Sequence, residues 1–522
     1  MPLTSLFHDE HREWAPRQCA PPKRAPPKRA FCCVLLVFVS GGWAAFAFGQ
    51  VAAEGDSDGQ SSTSEAIPQT GSEESSAESI RSFTDLLLGE YKEDLLHASS
   101  TSAVGEDDFE RPTIDDEVVQ QAGLRKLVGQ HITIYTDLPE SVDLDDLPLV
   151  LDLAIDQWAG YFHIQTEQLS DWALNGYLMK DETRFVSAGL LPPILPKFVN
   201  GYQRGYEFWM REQPSDYYRR HLMLHEAAHA FMQTMLGGLG PPWYAEGMAE
   251  LLATHRWQDR RLSTRYMPNN RDEVPYWGRI KVVQDEFSAG RALLLRDIMR
   301  MTEPAHDDVV RYAWAWAATA FLDGNPMFST RFRALRTTAA GPPSQVARVF
   351  EDSVIQQLRE LDEQWRIFVA EIEYGYDLSR TAISYTGGQA LPENGTKVAF
   401  KSNRGWQSTG VDLEAGQTYR MSCMGRYVIA RDKKDWWCEP GGITIRYHRG
   451  LPLGLVIGTV RPEQWSPEQP SLGRPFTVGR GRTFVAPVNG TLYVRVNDSP
   501  RELAENKGDV SLEVSHVSSG DE

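Results

Sequence analysis

The chain has 522 residues, of which 41% are hydrophobic and 24% charged, which is enough apolar material for two or three cored domains and too mixed for disorder throughout. Its formal charge of -18 excludes a broad nucleic-acid surface, because neutralising phosphates needs clustered Lys and Arg.

At the N-terminus a basic stretch, "KRAPPKRA" (Lys23 to Ala30), precedes an uncharged apolar run from Phe31 to Gly49 that ends in the small residues Ala45, Ala47 and Gly49. That order of charge, apolar run and small residues is an export signal, and residues 1–49 are read as a signal peptide cut near Ala47 or Gly49. A run of about 19 residues also just spans a bilayer, so a retained membrane anchor is the alternative. Either reading puts the remainder outside the cytoplasm, in the periplasm, at the cell surface or in the medium. Cys19, Cys32 and Cys33 belong to the leader, which leaves Cys423 and Cys438. Two cysteines in an exported chain suggest a disulfide.

Residues 50–126 are rich in Ser, Gly, Thr, Asp and Glu and are expected to form an acidic low-complexity tether, with one apolar patch of helical spacing from Phe83 to Ala98. The pattern changes at Leu127. "HITIYTDLP" (His131 to Pro139) alternates as a strand, and "PLVLDLAIDQWAGYF" (Pro148 to Phe162) has the spacing of a helix. "NGYLMKD" and "GYQRGYEFWM" predict strands on either side of a helix or loop around Arg184 to Val199, and helical patterns run from Ser215 to about Tyr374. From Ser384 on, short alternating runs such as "TYRMSCMG", "TLYVRVND" and "VSLEVSHV" are separated by Gly, Pro and Asn turns, as in an antiparallel sandwich. The expected fold class is therefore α+β: a mainly helical domain with a small mixed sheet over residues 127–376, then an all-β, jelly-roll-like sandwich over 385–518.

The chemistry concentrates in "HLMLHEAAHAFMQTMLGGLGPPWYAEGMAELLATH", His221 to His255. Residues four apart on a helix share a face, so His225 and His229 can point ring nitrogens at one ion. Glu226 is offset from that pair, too far round to be a ligand but near enough to take a proton from water at the metal. Leu224, Ala228, Phe231 and Met235 form a separate apolar stripe, and Gly237 and Gly238 stop the helix. Catalytic zinc needs a third protein ligand and an open position. A second helix, started by Pro241 and Pro242, carries Glu246 and Glu250 one turn apart, and a hairpin would return that face to the first helix. His221, one turn before His225, reads as a solvated histidine, with a place behind the ligands as the alternative; Glu250 suits either the surface or the orientation of a ligand histidine. Two amphipathic helices with polar faces and no metal are the plain alternative.

"HEAAH" followed by "WYAEGMAE" resembles the gluzincin metallopeptidases, whose pattern is H-E-x-x-H and then W-x-x-E-G-x-A. The resemblance extends loosely from about residue 127 to 374 and implies His225, His229 and Glu246 as zinc ligands and Glu226 as general base in peptide-bond hydrolysis. It also implies a donor to the developing oxyanion, for which Tyr312 is the candidate, although a Tyr on that Trp-rich helix equally suits a core. The segment "GYQRGYEFWM" is similarly placed to the family's substrate-binding edge strand.

"STGVDLEAGQTYRM", "GLVIGTV", "FTVGRGRTFVAPVNGTLYVRVNDSP" and "NKGDVSLEV" resemble the PA-IL-like, galactophilic calcium lectins, small jelly-roll sandwiches, over roughly Gln389 to Val517. That resemblance implies Asp498 and Asn506 as calcium ligands, since oxygen-rich loops suit the ion. Where the family carries a His-Pro-Asp stretch, this chain has "GGITIRYHRGLPLG", so galactose itself is not implied. The sequence thus predicts an exported zinc metallopeptidase acting on a protein or peptide, with a sandwich that takes a carbohydrate or cell-surface ligand. The rival is a non-catalytic binding protein on a gluzincin-like scaffold; the Glu between the two histidines argues against it, because a scaffold has no chemical need for that acid.

Overall fold

The computed structural model describes residues 110–302, 308–466 and 472–517, so the signal, the anchor and most of the tether lie outside the described residues. Among the described residues no helix is long and apolar enough to cross a membrane. They form a mixed α and β structure with several separate sheets, none closed.

Order begins before Leu127, which corrects the end of the expected tether. Helix α1 (Asp116–Gln121) is capped by Asp115, whose side chain accepts from the Glu117 amide, and β1 (Arg125–Val128) pairs antiparallel with β2 (Ile132–Thr136). The chain then makes α2 (Leu147–Phe162), β3 (Leu174–Met179), β4 (Gly201–Arg204) and β5 (Glu207–Arg211). The sheet order is β1-β2-β3-β5-β4, with β2, β3 and β5 parallel and β4 returning antiparallel along β5 as the edge strand. β2 and β3 are buried along their whole length, as expected of strands covered on both faces.

Two helices follow that the sequence reading anticipated, α3 (Asp216–Leu236) and α4 (Pro242–Ala253). Ser215 caps α3 by accepting from the Tyr218 amide at 3.1 Å, and Gly237 ends it in the left-handed region at φ 77°. Pro242 opens α4, where its missing N–H costs no helical hydrogen bond. Between α4 and the later helices lies a short hairpin, β6 (His255–Gln258) with β7 (Arg261–Thr264), in a stretch whose sequence read as helical. Next come α5 (Arg279–Ser288), α6 (Val309–Gly324) and α7 (Leu358–Glu371). Leu224, Ala228 and Phe231 of α3 are fully buried in the core with Trp158, Trp243 and Trp316.

The C-terminal part is built mainly of strands, with one short 3-10 turn at Leu503–Glu505. A six-stranded sheet contains β8 (Gln389–Ala390), β10 (Gln407–Leu413), β14 (Gly441–His448), β15 (Leu451–Pro462), β16 (Phe476–Thr477) and β18 (Gly490–Val496). A four-stranded sheet contains β9 (Thr396–Lys401), β11 (Thr418–Met424), β17 (Gly481–Val485) and β19 (Asp509–His516), and β12 (Tyr427–Arg431) pairs with β13 (Asp435–Cys438). The two larger sheets enclose one core: Val411, Val456 and Leu492 from the first meet Tyr419, Leu512 and Val514 from the second. Cys423 and Cys438 are buried here as free thiols, so the disulfide suggested by the sequence is absent. Burial pushes Cys423 up to about 12, and Cys438 has its Sγ 3.0 Å from Glu439 O.

Candidate metal centre

Helix α3 presents three histidines one turn apart, and α4 presents two glutamates at the same spacing, so the hairpin sets a ladder of imidazoles against a ladder of carboxylates. His225 Nε2 and His229 Nε2 lie 3.1 Å apart, and Glu246 Oε2 lies 3.3 Å from each. Three donor atoms thus converge on one point inside a mostly buried site. Glu246 Oε2 makes no hydrogen bond of acceptable geometry there, and His229 Nδ1 is also buried without a partner. A buried carboxylate oxygen facing two ring nitrogens is costly without a cation between them. This N, N, O donor set fits the ligand types that zinc takes, and one of its members, His225, lines the cleft. Burial by itself would raise the Glu246 carboxyl, but His229 and His225 outweigh it and hold it well below the usual range.

Behind this triad stands a second one, His221, His225 and Glu250. Glu250 Oε1 is 3.6 Å from His225 Nδ1, and Glu250 Oε2 is 3.3 Å from His221 Nε2. Arg279 closes the other side, with Nη2 2.8 Å from Glu250 Oε1 and Nε 3.1 Å from Oε2. Burial opposes ionisation of Glu250, yet the Arg279 guanidinium and His221 keep its carboxyl well below the ordinary range. The positive charge in this second triad is therefore supplied by the protein. His221 is 1% exposed and its Nδ1 lies 3.1 Å from Ala253 O, which corrects the expectation of a solvated histidine. Arg279 carries no motif, and sequence reasoning missed it; a lone Arg at the start of a helix after "PYWG" offers no spacing to notice.

Glu226 is buried but points into a cleft of about 710 Å³ lined by Phe198, Gly201, Leu222, His225, Arg279 and Tyr312, among others. Burial pushes its carboxyl up to about 8, with Glu246 adding to the rise and His229 opposing it. Edge strand β4 comes so close that a Cβ at Gly201 would overlap Glu226 Oε1. Tyr312 sits across the cleft, its ring 5.9 Å from that of His225 and beneath the Arg279 guanidinium at 5.5 Å. Its helix can approach because Gly247 has no side chain: a Cβ there would stand 2.6 Å from Ala315 O, and the Thr319 hydroxyl instead donates to Gly247 O at 2.8 Å. Gly247 is the G of "WYAEGMAE", so the motif glycine has a packing reason.

Asp498 and Asn506 are also brought together, far along the chain in the all-strand part. Asn506 Nδ2 donates to Asp498 Oδ2 at 2.8 Å and to Ser402 O at 3.0 Å, while the Ser499 amide donates to Asp498 Oδ1 at 2.7 Å. Calcium takes about six to eight oxygen ligands. Here each Asp498 oxygen accepts one hydrogen bond and Asn506 Oδ1 is left unpaired. These two side chains by themselves supply too few oxygens for the expected calcium site.

No family model matches the chain. No curated protein matches it either. Among solved structures, it is similar to the EclA N-terminal domain, a PllA-like lectin, at 20% identity over 24% of this chain and 100% of that one, with a TM-score of 0.19. It is also similar to PliG of Aeromonas hydrophila, a periplasmic inhibitor of g-type lysozyme, at 14% identity over 26% of this chain and 96% of that one, with a TM-score of 0.16. At those scores neither likeness assigns a fold or a function to this chain.

Proposed function

We propose that the chain is a zinc metallopeptidase that hydrolyses peptide bonds in the cleft between β4 and α6. The observation that carries the reading is the unpaired Glu246 oxygen facing His225 Nε2 and His229 Nε2, with Glu226 beside them on the cleft. Zinc held by His225, His229 and Glu246 would supply Lewis-acid polarisation of a carbonyl and acidification of water. Glu226 then takes a proton from the attacking water and returns it to the leaving amine. Tyr312, whose ring faces that of His225 at 5.9 Å, would donate its hydroxyl proton in a hydrogen bond to the developing oxyanion, its own ionisation suppressed by burial and by the neighbouring glutamates. Glu250 and Arg279 hold His225 in orientation. The free side of β4 offers main-chain groups to an extended substrate. Export, and a targeting role for the all-strand part toward a surface or carbohydrate ligand, belong to the same proposal and rest on the sequence.

The test is Glu226→Gln. Elemental analysis of the purified chain should give close to one zinc in both parent and variant, while cleavage of a peptide library falls by about 100-fold or more in the variant. Equal cleavage rates would remove Glu226 as the base, and a parent that holds no zinc would remove the site.

A further inference from the structure

The loop from Asn497 to Asn506 leaves β18 at the end of the six-stranded sheet nearest the helical part. Within it, Asn497, Asp498 and Asn506 are each at most 3% exposed, whereas Arg501, Ala504 and Glu505 face solvent. Its inward side is tied to the strands around it. Asn497 Nδ2 donates to His448 O and Pro452 O at 3.1 and 3.0 Å, and the Arg431 amide donates to Glu505 Oε2 at 3.0 Å. Arg446 forms an ion pair with Glu502 and adds positive charge near Asp498 and Glu505.

Its outward side meets the segment that leaves α7. The Ser499 hydroxyl donates to Glu373 Oε1, the Arg501 amide donates to the same oxygen at 3.3 Å, and the Asp377 amide reaches Pro500 O at 3.4 Å. Beside them Arg495 makes a two-pronged buried pair with Glu371, at 2.9 and 2.7 Å, and Arg449 Nη2 donates to Ala370 O at 2.7 Å. The described residues of both parts fall within one compact unit.

We infer that this loop is the joint that docks the all-strand part onto the helical part, held by protein hydrogen bonds and the Arg446 guanidinium in place of a calcium ion. Each Asp498 oxygen accepts from a neighbour and the Asn506 side-chain nitrogen donates to Asp498 and Ser402, while Glu373 and Asp377 meet the stretch from Ser499 to Arg501. A sugar or surface ligand of the all-strand part would have to bind away from Asp498. The joint also fixes the end of α7, whose Trp365 and Phe368 pack in the same core as α6, so the two parts should move together.

The experiment uses the full chain. Thermal unfolding is followed with millimolar calcium chloride or with a calcium-selective chelator, and amide exchange of residues 497–508 is compared between the parent, Glu373→Gln and Ser499→Ala. The expected result is an unfolding midpoint indifferent to calcium, with exchange at Ser499 and Arg501 at least about fivefold faster in both variants, the equivalent of one lost hydrogen bond. A midpoint that rises with calcium in the parent and not in Asp498→Asn would make the loop a metal site and overturn the inference. Exchange unchanged in both variants would overturn the docking role. Neither readout depends on zinc or on hydrolysis.

Discussion

Glu250 is wedged between His225 and a buried guanidinium: Oε1 lies 3.6 Å from His225 Nδ1 and 2.8 Å from Arg279 Nη2. An acid so placed orients the imidazole and favours the tautomer with the proton on Nδ1, leaving Nε2 free to bind a metal. Arg279 keeps it ionised and donates to the same Oε1 that faces the histidine.

Glu250→Gln is therefore expected to weaken zinc binding by about 10- to 100-fold, as losses of such outer partners do. Competition with a chromophoric chelator measures it. The amide still accepts from Arg279 but leaves its buried charge uncompensated, a cost of about 3–5 kcal/mol, so affinity is compared where circular dichroism shows both chains folded. An unchanged zinc affinity there would show that Glu250 serves packing alone.

Gly201 is a second dependency, on the opposite wall. A side chain there would displace the Glu226 carboxylate while leaving His225, His229 and Glu246 in place. The backbone is in a strand, so the penalty is one of space and not of φ. Gly201→Val should keep zinc at parental content and lower turnover by about 100-fold, in line with a displacement of about 1 Å of a reacting group. A variant with parental turnover would mean that Glu226 reaches water from another rotamer.

The ladder of His225, His229 and Glu246 was legible because an α-helix converts spacing in sequence directly into placement on a face, and a Gly-Pro turn between two helices fixes their return. Glu226 entered through its offset from the histidine pair and the resemblance, Tyr312 through the resemblance alone, and both line the same cleft. Arg279 and Gly201 were not, since each acts through an approach between elements distant in sequence, and a lone Arg or Gly has no period. His221 was misread because its polarity suggested water, whereas its ring is buried, with Nδ1 3.1 Å from Ala253 O and Nε2 3.3 Å from Glu250 Oε2. The β6–β7 hairpin was lost among helical patterns because its strands have only four residues each. Asp498 and Asn506 were matched as residue types, but which way their polar atoms turn is decided by Ser402, Ser499 and the docking of Glu373, none of which their spacing encodes.

Arg495 and Glu371 form the buried ion pair of the joint, at 9% and 8% side-chain exposure. Removing one partner leaves the other charge uncompensated, which costs about 3–5 kcal/mol. Arg495→Met is expected to lose that much in urea unfolding, and Glu371→Gln added to it should recover part, because the pair is then replaced on both sides. Arg449, 3.5 Å from Glu371 but 44% exposed, is too solvated to substitute fully. A loss below about 1 kcal/mol would place it as an effective stand-in.

Glu351 supplies a pH dependence independent of the metal. It lines an apolar groove with Leu295, Met299, Phe350 and Val354. Burial pushes its carboxyl up to about 7, with Arg300 opposing and Asp352 adding. In the unfolded chain the group titrates near its ordinary 4.5. Below that value both states are protonated and its contribution to stability is complete. As pH rises from 4.5 the unfolded state ionises first, so the folded state holds more protons and stability falls until the folded carboxyl itself titrates near 7. Glu351→Gln removes the titration. Urea midpoints should therefore be similar for parent and variant at about pH 4.5, diverge as pH rises, and favour the variant above about pH 7. Parallel midpoints across that range would mean that water reaches the carboxylate and that the groove does not hold it neutral.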